Sequence, residues 1–299
     1  MSLTELDRIV SQLKSQLGSE NFSLEEMRSA FEEIATSFPT PEDAQIEAVN
    51  MNGVPGEFVK AFTHKSPSTI IYLHGGGYAI GSLKTHRTLA YNLSKASGFQ
   101  VLLVDYRLAP EHTFPAAIED SIKAYRWLLQ NGWSADRIGI AGDSAGGGLA
   151  LATCIALREE KERLPSAIVC ISPWTDLEVK GESIHTKASV DPICSKLEID
   201  FFRDLYVEKK DFSHPLASPL YADLRGLPPL LIQVGTEEIL LDDSIRLAEG
   251  AKQCGVETDL KIWDKMIHVW HLFAPSLSEG RDAISQAANF LNKYLVSSL

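Results

Sequence analysis

Ser144 stands at the centre of Gly142-Asp143-Ser144-Ala145-Gly146, between the apolar run Ile138-Gly139-Ile140-Ala141 and a second one, Gly147-Gly148-Leu149-Ala150-Leu151-Ala152. The first run has the length of a short buried strand, the second that of an apolar helix. A strand that turns this abruptly into a helix pushes its middle side chain out of the turn. Glycines two residues before and two after leave room for the backbone to cross itself. A serine so held can act as a nucleophile, with the Ala145 N–H and the positive end of the helix directed at whatever binds its oxygen. The pentad alone is weakly specific, whereas between a strand and an apolar helix it is a strong signal.

A second constellation, His74-Gly75-Gly76-Gly77-Tyr78, follows the apolar run Thr69-Ile70-Ile71-Tyr72-Leu73. Consecutive glycines strip side chains from the backbone, so amide N–H groups can approach an anion directly. Attack on an acyl carbonyl builds negative charge on oxygen, and a fixed donor at that position contributes about 3–4 kcal/mol. A nucleotide loop would carry Gly-x-Gly-x-x-Gly or a following Gly-Lys-Ser/Thr, and neither spacing occurs here. The alternative to an oxyanion loop is a plain tight turn.

These two motifs, together with Asp105-Tyr106-Arg107-Leu108-Ala109-Pro110-Glu111, resemble the hormone-sensitive-lipase-like family of α/β-hydrolase esterases, from about residue 65 to the C-terminus. The resemblance implies an α/β fold, with a mostly parallel central sheet flanked by helices and a helical cap. It also implies Ser144 as nucleophile and the N–H groups of Gly76, Gly77 and Ala145 as the oxyanion hole. Asp105, Arg107 and Glu111 would brace the loop beneath the site, although such charges also suit an ordinary solvated turn.

A serine hydroxyl needs a base, and histidine has the right unperturbed pKa. The family order is serine, acid, histidine, with the histidine on the loop after the final strand. Of the eight histidines, His268 matches that position in Lys265-Met266-Ile267-His268-Val269-Trp270-His271. His271 reads as a packing residue and His74 as a residue that shapes its loop. His64, His86, His112, His185 and His214 are not tied to a C-terminal strand end. The acid falls in Gly235-Thr236-Glu237-Glu238-Ile239-Leu240-Leu241-Asp242-Asp243. There the family usually has aspartate at the position of Glu238, so this chain departs from the pattern. Glutamate can still orient His268 and stabilise its imidazolium. The alternative is that Glu238 caps the next helix and Glu237 or Asp242 binds the histidine.

The elements that must position these residues alternate along the chain. Residues 45–51 and 56–62 read as a hairpin about Asn52-Gly53. Strands are expected at 69–73, 100–105, 137–141, 167–171, 230–234 and 258–262. Helices are expected at 84–97, 115–130, 145–161, 240–253 and 281–297. Such alternation makes a mostly parallel sheet with its site at the C-terminal strand ends. Two amphipathic helices, 3–17 and 24–37, precede it, the second opening on a Ser23/Glu26 capping box. Residues 179–215 break the alternation and carry Phe201, Phe202, Leu205 and Tyr206. The resemblance implies that 1–37 and 179–215 form a composite cap over a catalytic domain of 38–178 and 216–299. Tyr78, Phe22, Phe31, Phe201 and Tyr206 are then candidate pocket walls, although core packing is the commoner fate of any single aromatic.

A chain of 299 residues, 44% hydrophobic, can bury one large core. No stretch reaches the ~18 apolar residues of a membrane helix, so no stable membrane insertion is expected. Met1–Asp7 lacks a basic region followed by an apolar core, so no signal peptide is read and a cytoplasmic location is expected. Cys154, Cys170, Cys194 and Cys254 are scattered without metal-ligand spacing, which suits a reduced compartment. The net charge of −12 argues against nucleic acid or an anionic membrane as partner. The chemistry read here is hydrolysis of short- to medium-chain acyl esters through an acyl-enzyme, with no metal or organic cofactor. The rival readings are an amidase or peptidase with the same triad, and a ligand-binding protein on the same scaffold. The resemblance also leaves room for a homodimer through the last strand and its helix.

Overall fold

A computed structural model describes residues 4–17, 22–61 and 67–295. Residues 3, 62, 296 and 297 of the expected elements, and His64, lie outside the described residues. In chain order the elements are helices α1 (Glu5–Leu17) and α2 (Leu24–Thr36), strands β1 (Gln45–Met51), β2 (Val54–Lys60) and β3 (Thr69–Leu73), then α3 (Leu83–Ser97), β4 (Gln100–Val104) and α4 (Ala116–Gln130). There follow β5 (Ile138–Asp143), α5 (Ala145–Glu159), β6 (Ala167–Ile171), α6 (Ser183–Thr186) and α7 (Lys196–Tyr206). The described chain closes with β7 (Leu230–Gly235), α8 (Leu241–Gln253), β8 (Thr258–Trp263) and α9 (Ser278–Leu295).

The eight described strands form one sheet in the order β1-β2-β4-β3-β5-β6-β7-β8. β1 and β2 pair antiparallel, β2 joins β4 antiparallel, and every remaining pair is parallel. The Asn52-Gly53 connection puts both residues at positive φ, 56° and 98°, and so brings Met51 opposite Val54. The second hairpin strand therefore begins two residues earlier than expected. Both residues of the loop take the left-handed conformation that matches strand twist.

The inner strands β3 to β7 are almost wholly apolar and buried because both faces of the sheet are covered there, whereas the edge strands β1 and β8 are mixed and more exposed. In β3, Ile71 and Leu73 point to one side and Ile70 and Tyr72 to the other. On the first face lie α4, α5 and α8, through residues such as Ile118, Leu128, Leu149, Ile155 and Leu247. On the second lie α3 and α9, through Leu89, Leu93, Ile284, Ala287 and Leu291. Ile9 and Leu13 of α1 pack separately, against Ile267, Trp270 and Phe273 near the C-terminal strand ends.

Backbone segments pack very closely where β5 passes into α5. A methyl group on Gly146 would sit 2.0 Å from the Leu73 carbonyl oxygen, and one on Gly142 would sit 2.2 Å from the Gly146 carbonyl oxygen. Neither obstacle is a movable side chain. Gly146→Ala should therefore destabilise the fold by at least about 3 kcal/mol. Gly250→Ala in α8 adds a methyl with its nearest neighbour, Leu224 Cδ1, at 3.8 Å, and should stabilise by about 0.5–1 kcal/mol. Thermal and urea denaturation of the two variants check both signs.

Candidate active site

Ser144 occupies the turn between β5 and α5 with φ 52° and ψ −122°, a backbone region that a side-chain-bearing residue adopts only under constraint. Its neighbours supply that constraint. The Ser144 N–H donates to Ile171 O at 2.8 Å, and its carbonyl accepts from Trp174 N–H at 2.9 Å. Ala145 opens the helix, so its N–H has no intrahelical partner.

The expected oxyanion loop leaves β3 beside this turn. Gly76 and Gly77 have φ of 114° and 59°, and the N–H of neither has a hydrogen-bond partner among the described residues. The loop is held from below by Asp143, which is buried. Its Oδ1 accepts from the Gly75 N–H at 3.1 Å and the Tyr72 hydroxyl at 2.8 Å, and its Oδ2 lies 3.3 Å from His86 Nε2. Complete burial opposes the charge on Asp143, but His86 and the Tyr72 hydroxyl outweigh it and hold the carboxyl below the usual carboxylate range. Tyr106 O–H donates to His74 O at 2.6 Å, and Ala109 N–H to Tyr78 O at 2.8 Å. The bracing expected of Arg107 goes elsewhere: its guanidinium is occupied by Asp120 and Glu119 of α4.

His268 and Glu238 are brought together. His268 Nδ1 lies 2.8 Å from Glu238 Oε2, with both residues almost wholly buried. The other carboxylate oxygen of Glu238 accepts from the Ser172 hydroxyl at 2.8 Å and from Gly235 N–H at 2.6 Å. Ser172 Oγ in turn accepts from Val269 N–H at 3.2 Å, so one hydroxyl ties the acid to the histidine loop. The competing carboxylates are engaged otherwise. Glu237 Oε1 lies 3.2 Å from Thr236 Oγ1 and 3.7 Å from Lys187 Nζ, and Asp242 accepts from Ser183 N–H at 2.8 Å.

The buried histidines differ in what surrounds them. Burial pushes His74 and His271 down to about 3. At His268 burial also opposes the proton, but the Cys194 sulfur and the Glu238 carboxylate favour it, and the net effect raises its pKa well above the ordinary value. Cys194 is itself pushed up to about 11 by burial.

Ser144, His268, Gly76 and Gly77 line one cavity of about 170 Å³. Its walls come from α1 (Leu13), α2 (Met27, Phe31, Ile34), α7 (Glu198, Ile199, Phe202) and the segments Ile193–Cys194 and Leu272–Phe273. Phe22 and Phe31 line the cavity, as expected. Tyr78, Phe201 and Tyr206 do not. Tyr78 and Tyr206 stack on each other at 3.8 Å in the core, and Phe201 is on the outer face of α7. One residue along the helix, Phe202 fills the inner position and packs over Gly77. Ser172 and Asp191, whose carboxylate accepts from Ile193, Cys194 and Ile239 N–H groups, were not singled out in the sequence, and His86 and Cys194 were named there without a role at the site. The only signal for Ser172 was a polar residue immediately after an apolar strand.

This geometry and the sheet order define an α/β hydrolase, and the chain belongs to the family described by the α/β hydrolase fold, which matches residues 70–272. It is similar to an acetyl-hydrolase of Streptomyces hygroscopicus, at 40% identity over 97% of each chain. An esterase of Acinetobacter venetianus is 35% identical over 90% of this chain and 89% of its own. Among solved structures, an esterase from the bacterial hormone-sensitive lipase family matches with TM-score 0.96 at 46% identity, over 99% of this chain and 100% of that one. The family resemblance read from the motifs therefore holds. No described helix is long and apolar enough to cross a membrane.

The surroundings of His268 predict its titration. Its imidazole should lose its proton above the free-histidine value of about 6.5, and Glu238→Gln should move that transition downward. Because the folded protein holds this proton more tightly than the unfolded chain, the associated stability is present at pH below 6.5 and fades as pH rises through the raised value. Histidine-resolved NMR titration of both proteins measures the shift.

Proposed function

We propose that the protein is a serine carboxylesterase in which Ser144, His268 and Glu238 act as nucleophile, base and acid on short- to medium-chain acyl esters. The observation that carries this reading is the His268–Glu238 contact of 2.8 Å, with His268 lining the same cavity as Ser144. The names of the relatives support an ester or acetyl substrate. The apolar walls from α1, α2 and α7 support an acyl pocket, and we read residues 1–37 and 179–215 as a composite cap over it.

Ser144 Oγ attacks the ester carbonyl while His268 Nε2, free of Glu238, takes the hydroxyl proton. Charge develops on the former carbonyl oxygen, and the Gly76, Gly77 and Ala145 N–H groups serve as its donors in this reading. His268 then gives its proton to the leaving alcohol, which departs as the tetrahedral adduct collapses to an acyl-enzyme. Water, deprotonated by the same imidazole, attacks the acyl carbon; as the second adduct collapses, the imidazolium returns the proton to Ser144 Oγ and the carboxylate leaves. Glu238 holds the imidazole in the orientation that presents Nε2.

On p-nitrophenyl esters, turnover should favour the shorter chains and decline toward palmitate, and Ser144→Ala should lower it by about 10³-fold or more. Glu238→Gln should lower kcat by about 10³-fold, whereas Glu237→Gln should stay near wild type; the reverse pattern overturns the acid assignment. Since the base works only when neutral, the acid limb of kcat/KM should lie above pH 6.5, at the raised value for His268.

A further inference from the structure

We propose that Arg28 is a positioning residue for the oxyanion loop, making the donor geometry of Gly77 depend on the seating of helix α2. The inference rests on the serine-esterase reading above. The starting point is the peptide joining Gly76 to Gly77. Its carbonyl oxygen accepts from Ala79 N–H at 3.0 Å and Ile80 N–H at 2.9 Å. In a planar trans peptide the Gly77 N–H points opposite to that carbonyl, so whatever holds the 76–80 turn also aims the donor.

Arg28 holds that turn from outside. Its Nε donates to Ala79 O at 2.9 Å and its Nη2 to Ala109 O at 3.0 Å. Ala109 N–H in turn donates to Tyr78 O at 2.8 Å, so the guanidinium joins the oxyanion turn to the segment that braces it. Glu111 fixes the plane of the fork through two contacts, at 2.7 and 2.8 Å. The Glu111 carboxylate is half exposed, and an exposed ion pair alone contributes little. The two carbonyls are different: Ala79 and Ala109 are wholly buried, and a buried acceptor that loses its donor drives local rearrangement.

The rest of α2 repeats the connection. Phe31, on the same helix face one turn later, meets the His86 ring edge-on at 5.7 Å, and His86 lies against Asp143, which accepts the Gly75 N–H. Glu32 pairs with Ser82 and Lys84 at the start of α3. Helix α2 thus reaches the loop at both ends, through Arg28 to Ala79 and through Phe31 to Gly75, while its Met27, Phe31 and Ile34 wall the cavity. A shift of α2 that reshapes the pocket also turns the donor.

The test compares Arg28→Met, Arg28→Lys and Glu111→Gln on p-nitrophenyl acetate, whose acyl group ends one carbon beyond the carbonyl and so reports the donors more than the pocket wall. Arg28→Met should lower kcat about ten- to a hundred-fold with KM little changed. It should weaken binding of a trifluoromethyl ketone, whose serine adduct carries the oxyanion, by a similar factor. Arg28→Lys, able to reach one carbonyl but unable to form the fork, should restore part of both. Unchanged kcat and ketone affinity, with losses confined to KM for long esters, overturns the proposal and leaves α2 as pocket wall alone. If Arg28→Met does not fold, the lysine and Glu111→Gln variants decide, a smaller loss of kcat supporting the proposal and none in either overturning it. Wild type inert on the ester would instead overturn the underlying esterase reading, and this inference with it.

Discussion

Everything in the candidate site depends on how closely three backbone segments approach one another at the end of β3. Gly142 and Gly146 allow β5 and α5 to cross within contact distance of the Leu73 carbonyl. That contact seats the Ser144 turn directly beside the loop that leaves β3, so Ser144 and the Gly76 and Gly77 amides are neighbours by construction. The same turn is tied to the exit of β6 through Ile171 and Trp174, and β6 delivers Ser172 to Glu238. Parallel strands that all end on one side make this convergence possible. The acid, histidine, serine and donors leave four different strands at their carboxyl ends.

The second organising feature is electrostatic asymmetry among buried groups. His74, His268 and His271 are all buried, and burial alone lowers the proton affinity of each. Only His268 faces the Cys194 sulfur and has a carboxylate, Glu238, at hydrogen-bond distance, and it alone of the three has its proton affinity raised. On the other side of Ser144, Asp143 keeps its charge because His86, Tyr72 and the Gly75 amide face it. Its negative charge anchors the loop from beneath, while the Gly76 and Gly77 amides have no partner among the described residues above.

Much of this was legible in the sequence because it is written in backbone constraints. Glycine spacing around Ser144, three glycines after an apolar run, and alternation of strand and helix patterns each have few structural solutions. Strand positions were readable for the same reason, with β1 to β8 within about two residues of expectation. What the sequence did not reveal is side-chain direction. Phe201 and Phe202 are adjacent and chemically identical, yet the helix turns one outward and the other onto Gly77. Tyr78 and Tyr206 were candidates for the pocket and instead stack on each other, a pairing between residues far apart in the chain. Arg107 is spent on α4, and the loop is braced instead by Tyr106, the Ala109 amide and, through Arg28, Glu111. Ser172 and His86 are ordinary residues by type, and only the fold gives them partners.

The central claim is that Ser144 is the one nucleophile this architecture activates. The most direct test is reaction with diethyl p-nitrophenyl phosphate, which leaves a stable phosphoryl ester on an activated serine. The expected result is release of one equivalent of p-nitrophenolate per chain, complete loss of esterase activity, and a diethylphosphoryl adduct that peptide mass spectrometry maps to Ser144. An adduct on another residue, or inactivation that leaves Ser144 unmodified, would contradict the account.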